Sequence, residues 1–194
     1  MAATPLSLRE RLPTLVALGP VLSLALACAF FATRHDRFVS GANLSLILQQ
    51  VMVVGTIAVG QTLVILTAGI DLSCGMAMAL GGVVMAKLAT TAGWSVPTAI
   101  LAGMGVATAI GVVNGVLVTR FRLPPFIVTL GTLNITFAIT QLLSDAQTVT
   151  EVPEALLALG NTFAVGKAQV MYGVVVMLAL YLAAWVVLRE TAAG

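Results

Sequence analysis

Polar and apolar positions along this chain sort into long uncharged runs separated by short charged breaks. No charged residue lies between Phe38 and Ile70, and none between Leu72 and Ala86. Uncharged runs of about 20 residues are what a helix needs to cross hydrocarbon. The pattern predicts a first helix from about Pro13 to Thr33, ended by Arg34-His35-Asp36-Arg37. Ser40-Gly41-Ala42-Asn43 offers caps for a second helix, about Leu44 to Ala68. After a break, a segment from Gly75 to about Leu88 reaches only ~21 Å, short of a ~30 Å hydrocarbon core. It is therefore a half-helix, or a span completed by the non-helical stretch before it. Further spans are expected at about Val96–Val118, Phe126–Leu143 and Gln169–Leu188, with residues 144–166 as the longest polar connection. The expected fold class is all-α: one polytopic membrane helix bundle over residues 1–194, with about six apolar segments.

The break is Gly69-Ile70-Asp71-Leu72-Ser73-Cys74-Gly75, and Asp71 is the only acidic residue between Asp36 and Asp145. In hydrocarbon every backbone N–H and C=O needs a partner inside the segment. Gly69 and Gly75 permit unusual backbone. Asp71 or Ser73 can accept N–H groups where the next helix begins. The prediction is a helix that stops near Gly69 and restarts after Ser73. Such an interruption is tolerated only where protein shields it or water reaches it.

Composition strengthens the membrane reading. Sixty per cent of residues are hydrophobic, 8% are charged, and mean hydropathy is +1.10. Soluble domains carry roughly 25% charged residues. A net charge of +2 gives no footprint for nucleic acid. Arg9, Arg11 and Ala25-Leu26-Ala27 have the flavour of a signal peptide, but the run from Leu12 to Thr33 is long enough to span. Arg9, Arg11, Arg120, Arg122 and Arg189 on one side against Arg34, Arg37, Lys87 and Lys167 on the other give a weak positive-inside bias. That bias places the N-terminus in the cytoplasm.

Catalytic and metal chemistry find little support. Cys28 and Cys74 sit in or beside apolar segments, and His35 stands in a charged loop. Neither pattern makes a disulfide framework or a ligand cluster. HExxH and GxxxxGK[ST] are absent. Asp71 has no acidic partner at membrane depth, which an intramembrane protease needs. What stands out instead are amides and hydroxyls inside apolar runs: Gln49, Gln50, Gln61, Asn114, Thr129, Thr132, Asn134 and Thr136. A buried amide without a partner is costly. Gln49 and Gln50 read as interfacial; Gln61 lies deeper. Asn114 either bonds between helices or lines a path. Gly111-x-x-x-Gly115, and Ala77 with Gly81, permit close helix contact. Pro124 and Pro125 read as a helix start. A polar, glycine-rich broken helix is how membrane proteins build a route for a polar solute.

The stretch Gly69-Ile70-Asp71-Leu72-Ser73-x-Gly75 resembles a signature of ABC-transporter permeases for ribose and other simple sugars. Asn114-Gly115-x-Leu117-Val118-x-x-Phe121-x-Leu123-Pro124-Pro125-Phe126-Ile127-Val128-Thr129-Leu130-Gly131-Thr132 is similar to the second block of that family. Branched-chain amino-acid permeases are cousins, and Asp71 with Ser73 favours the sugar branch. The resemblance implies a multi-pass permease of the bacterial inner membrane, not an enzyme. It would carry a monosaccharide or similar solute, paired with a second permease subunit. A periplasmic sugar-binding protein would deliver the solute, and a cytoplasmic ATPase would hydrolyse ATP, so the chain itself holds no cofactor or metal. Gln61, Gly69, Asp71, Ser73, Gly75, Asn114, Pro124, Pro125, Phe126 and Thr129 would be the residues lining or bracing the path. Asp71 stays open between a helix cap, a gate or packing role and direct solute contact. Family members are longer, so the resemblance also implies a chain incomplete at its C-terminus. Two other readings remain: a secondary transporter with Asp71 as its proton site, and a truncated subunit that assembles without transporting.

Overall fold

The computed structural model describes the backbone of residues 8–166 and 168–190. The expectations for residues 1–7, for Lys167 and for residues 191–194 fall outside the described residues. Six α-helices account for most of the described chain: α1 (Leu8–Arg34), α2 (Gly41–Leu66), α3 (Cys74–Thr90), α4 (Val96–Thr119), α5 (Pro125–Ser144) and α6 (Tyr172–Glu190). They correspond one for one to the six apolar segments. Four of them, α2, α4, α5 and α6, are long and apolar enough to cross a membrane. The stretch Leu18–Arg34 of α1 and the whole of α3 are shorter apolar helices. At 17 residues α3 spans only about 26 Å, a length that fits either a half-helix or a span completed by the stretch before it.

Two expectations need correction. Residues 144–166, expected only as a polar connection in an all-α chain, carry structure of their own. The connection from α5 to α6 holds a 3₁₀ helix (Glu154–Gly160) and a two-stranded hairpin, β1 (Thr162–Val165) with β2 (Ala168–Met171). Thr-Phe-Ala-Val and Ala-Gln-Val-Met flank a turn at Gly166, whose φ of +62° suits glycine. The fold is therefore a helix bundle with a small β element, and α6 starts at Tyr172 because the hairpin uses the residues before it. At the other end, α1 begins at Leu8 and not near Pro13, so it takes in Arg9, Glu10 and Arg11 ahead of the uncharged run.

The chain divides into two compact units: residues 1–47 with 164–169, and residues 48–163 with 170–194. In the first, the turn after α1 is built on aromatic and capping contacts. Phe31 stacks on Phe38 at 5.9 Å, and the Asn43 side chain donates to the Phe38 carbonyl at 2.8 Å. The Asn43 N–H donates to Ser40 Oγ at 3.3 Å, so Ser40 caps α2.

In the second unit α3 packs against α4 and α5. The α3–α4 crossing is made by bare backbone: a Cβ added at Gly81 would fall 2.8 Å from the Gly103 carbonyl oxygen. That close approach was expected of Gly111 and Gly115 as well, yet a Cβ at either meets nothing within 4 Å. The spacing of Ala77 and Gly81 pointed to the α3 side of this contact, but its partner on α4 is Gly103, which spacing within one helix does not reveal. Elsewhere half of the buried side chains are polar: Ser73, Asn114, Thr129, Thr136, Thr140 and Ser144 lie beside Ala77, Leu80, Ala99, Val128, Val174 and Met177. Large aliphatic side chains such as Leu130, Ile135 and Leu142 point outward. In lipid there is no hydrophobic drive between helices, so small and hydrogen-bonding residues occupy the contacts.

Candidate functional site

Helix α2 ends in a Schellman arrangement. The Gly69 N–H donates to the Val64 carbonyl at 3.0 Å and the Ala68 N–H to the Ile65 carbonyl at 2.9 Å. The left-handed residue this motif needs is Ala68 (φ 58°). The sequence pointed to Gly69 and Gly75 for unusual backbone, but neither has positive φ. Gly69 serves space instead: a Cβ there would sit 3.0 Å from Val64 Cγ1 and 3.2 Å from the Val64 carbonyl oxygen. The helix stops before Gly69 and restarts at Cys74, as the break predicts.

Asp71 organises the restart. Its Oδ1 accepts both the Ser73 N–H and the Ser73 hydroxyl, each at 2.7 Å. This is an Asx turn leading into α3. Ser73 occupies the cap position with no side-chain bond to the helix N–H groups, and its carbonyl accepts the Ala77 N–H at 2.8 Å. The Ser73 hydroxyl is turned away from the helix and toward Asp71.

Two further helices complete the arrangement. Asn114 of α4 donates its amide to Ser73 Oγ at 2.8 Å. The Thr132 hydroxyl of α5 donates to Asn114 Oδ1 at 2.6 Å, with the Val128 carbonyl 2.9 Å away as a second acceptor. The chain Thr132, Asn114, Ser73, Asp71 thus runs in one donor direction and ends on the carboxylate. Ser73 is 1% exposed and Asn114 6%. A second tie runs from Thr129 of α5: its hydroxyl lies 3.2 Å from the Ile70 carbonyl and 2.9 Å from that of Pro125. The broken stretch is held from α4 and α5 together.

Two cavities flank the break. One of about 460 Å³ is walled by α2, α3 and α4 and includes Gln61, Asp71 and Ser73. The other, about 330 Å³, includes Gly69, Asp71, Asn114, Pro125 and Thr129. Gln61 Oε1 is buried without a hydrogen-bond partner among the described residues. Gly75, Pro124 and Phe126 line neither cavity. Pro124 and Pro125 open α5: the Pro124 carbonyl accepts from Ile127 and Val128 at 3.1 and 3.2 Å. Thr132 stood out as a polar group in an apolar run but was not among the residues expected to line or brace the path. Its only signal was the polar face it shares with Thr129 and Thr136. Among the described residues no group of His, Cys, Asp and Glu could hold a metal.

The arrangement offers fixed donors and acceptors around one carboxylate, with no nucleophile–base pair. Comparison with known proteins fits that chemistry. Residues 43–194 match the family described as branched-chain amino acid transport system / permease component. The chain is 42% identical over 181 residues to the fructose import permease of Rhizobium meliloti, covering 90% of this chain and 50% of that protein. It is 39% identical over 132 residues to the D-allose transport system permease of Escherichia coli K12, covering 68% and 40%. It is 34% identical over 175 residues to the ribose import permease of the same strain, covering 90% and 54%. The chain spans about half the length of the curated relatives it matches. No solved structure matches it.

Proposed function

The chain belongs to the family of branched-chain amino acid transport permease components, and on that premise we propose that it is a membrane-spanning subunit of an ATP-driven importer for a monosaccharide. One observation carries the choice of solute. The residues lining the two cavities supply amide, hydroxyl and carboxylate groups but no Lys, Arg or His. A free amino acid would bring a carboxylate with no cation to meet it. A sugar brings no charge, only hydroxyls and a ring oxygen, which those groups can pair. The relatives named for fructose, allose and ribose support the same choice.

In this reading the chain is not an enzyme and has no cofactor of its own. ATP is hydrolysed by a cytoplasmic partner, a periplasmic binding protein delivers the sugar, and a second permease subunit completes the path. The chain sits in the bacterial inner membrane with its N-terminus in the cytoplasm. Asp71, Ser73, Asn114 and Thr129 brace the break, and Gln61 faces the larger cavity.

The test is uptake of radiolabelled D-fructose, D-ribose and L-leucine in a strain deleted for the chain and complemented with it. Restored sugar uptake that stops when the ATPase partner is removed is the expected result. Restoration of L-leucine alone, or sugar uptake that survives loss of the ATPase, overturns the reading.

A further inference from the structure

The two cavities are not independent. The α4 residues of the larger run from Gly103 to Gly111, and those of the smaller from Gly111 to Thr119. At 1.5 Å per residue each stretch is about 12 Å long, so the cavities lie end to end along α4. Val64, Asp71 and Gly111 line both.

We propose that Val64, Asp71 and Gly111 form the neck of a single solute path along α4, and that the bare backbone at Gly111 sets its bore. The proposal rests on the sugar-permease reading. Each of the three supplies something different. Val64 is the apolar wall, at the end of α2 where the helix stops. Asp71 is the polar wall, and both of its hydrogen bonds fall on Oδ1. Its Oδ2, with no bond among the described residues, is left to accept a hydroxyl from a neutral solute in passage. Gly111 is exposed, and a Cβ there meets nothing within 4 Å. A side chain at this position costs no packing in the fold but occupies the space between the cavities. Gly105 supplies the contrast: it is exposed on the same helix, its Cβ would also meet nothing within 4 Å, and it lines neither cavity.

The experiment measures uptake of radiolabelled D-fructose in the complemented strain for Gly111→Ala, Gly111→Val and Gly105→Val, with membrane abundance scored by immunoblot. All three variants should reach wild-type abundance. Passage depends on bore, so uptake should fall in order of side-chain size at position 111, by about tenfold for Gly111→Val, and stay unchanged for Gly105→Val. Wild-type uptake by Gly111→Val overturns the neck. So does an equal loss in Gly105→Val and Gly111→Val, which marks a helix-packing face instead. Wild-type cells that take up no sugar overturn the functional reading and the neck with it, and that outcome is visible before any variant is compared.

Discussion

Asn114 and Ser73, 41 positions apart, meet through a 2.8 Å hydrogen bond from the amide to the hydroxyl. Both are buried, and each is already engaged on its other side, Asn114 by Thr132 and Ser73 by Asp71. The bond therefore joins α4 to the start of α3 and fixes the rotamer of the group that steadies Asp71. Truncating the amide leaves the buried Ser73 hydroxyl and the half-buried Thr132 hydroxyl each short of a partner. Asn114→Leu should lower stability by about 2 kcal/mol, from the ~1–3 kcal/mol cost of an unsatisfied buried polar group. Thermal unfolding in detergent, followed by size-exclusion chromatography, reads this directly. An unchanged midpoint counts against the bond as a structural tie.

Ala68 holds the left-handed position that ends α2, at φ 58°. A Cβ in that region costs roughly 1–2 kcal/mol, and glycine carries no such cost. Ala68→Gly should raise the unfolding midpoint by an amount corresponding to a few tenths to about 1 kcal/mol, since added unfolded-state freedom offsets part of the gain. Ala68→Val should lower it. A lower midpoint for Ala68→Gly means that the alanine methyl makes a contact worth more than its strain.

Much of this architecture was legible because lipid imposes strict terms. The charge-free runs marked all six helices to within a few residues, and Gly69 to Ser73 marked the break, because unpaired backbone in an apolar stretch has few explanations. The hairpin at residues 162–171 was hidden by its length: two four-residue strands carry little periodicity beside a helix start. At the site, Asp71, Ser73 and Asn114 were visible as polar groups in apolar runs. Their connection through Thr132 was not, because register between α4 and α5 depends on tertiary packing. The same limit explains why Gly81 was legible from its spacing with Ala77 while its partner Gly103 was not, and why Gly111-x-x-x-Gly115 suggested a close approach that Gly103 makes instead.

That crossing yields a position-specific expectation. A Cβ at Gly103 would lie 2.5 Å from the Gly81 carbonyl oxygen and 2.9 Å from Met85 Cε. Met85 can move; the carbonyl belongs to a packed helix. Gly103→Ala should therefore destabilise by about 1–3 kcal/mol, the usual range for overpacking. Gly75→Ala, by contrast, opens onto empty space near the start of α3 and should be neutral or slightly stabilising. Comparing the two unfolding midpoints separates a packing glycine from a tolerated one. Equal effects would place the α3–α4 contact elsewhere.

Lys87 and Asp145 form an ion pair at 3.2 Å between the end of α3 and the residue after α5. Their side chains are 36% and 79% exposed, so solvent screens the attraction. Lys87→Ala should change stability by less than about 1 kcal/mol, and the small effect should vanish in high salt. A larger loss that persists in salt means that the lysine stem, not its charge, carries the contact.

The four linked groups should behave as one unit rather than as separate bonds. Ser73→Ala removes the acceptor for Asn114 and the donor to Asp71 Oδ1. Thr132→Val removes the donor to Asn114 Oδ1 while keeping shape. Each substitution alone leaves the Asn114 amide half-paired in a buried site. Once one end is lost, the amide is free to rotate, so losing the other end costs less. The double variant should therefore destabilise by less than the sum of the single effects, with a coupling of about 0.5–3 kcal/mol. Thr129→Val, which acts on the Ile70 carbonyl rather than on Asn114, should add to Ser73→Ala with little coupling. Unfolding midpoints for the wild type, the three single variants and the two double variants close both cycles. Strict additivity of Ser73→Ala with Thr132→Val would show that the polar groups act pairwise, and that Asp71 is held by Ser73 alone.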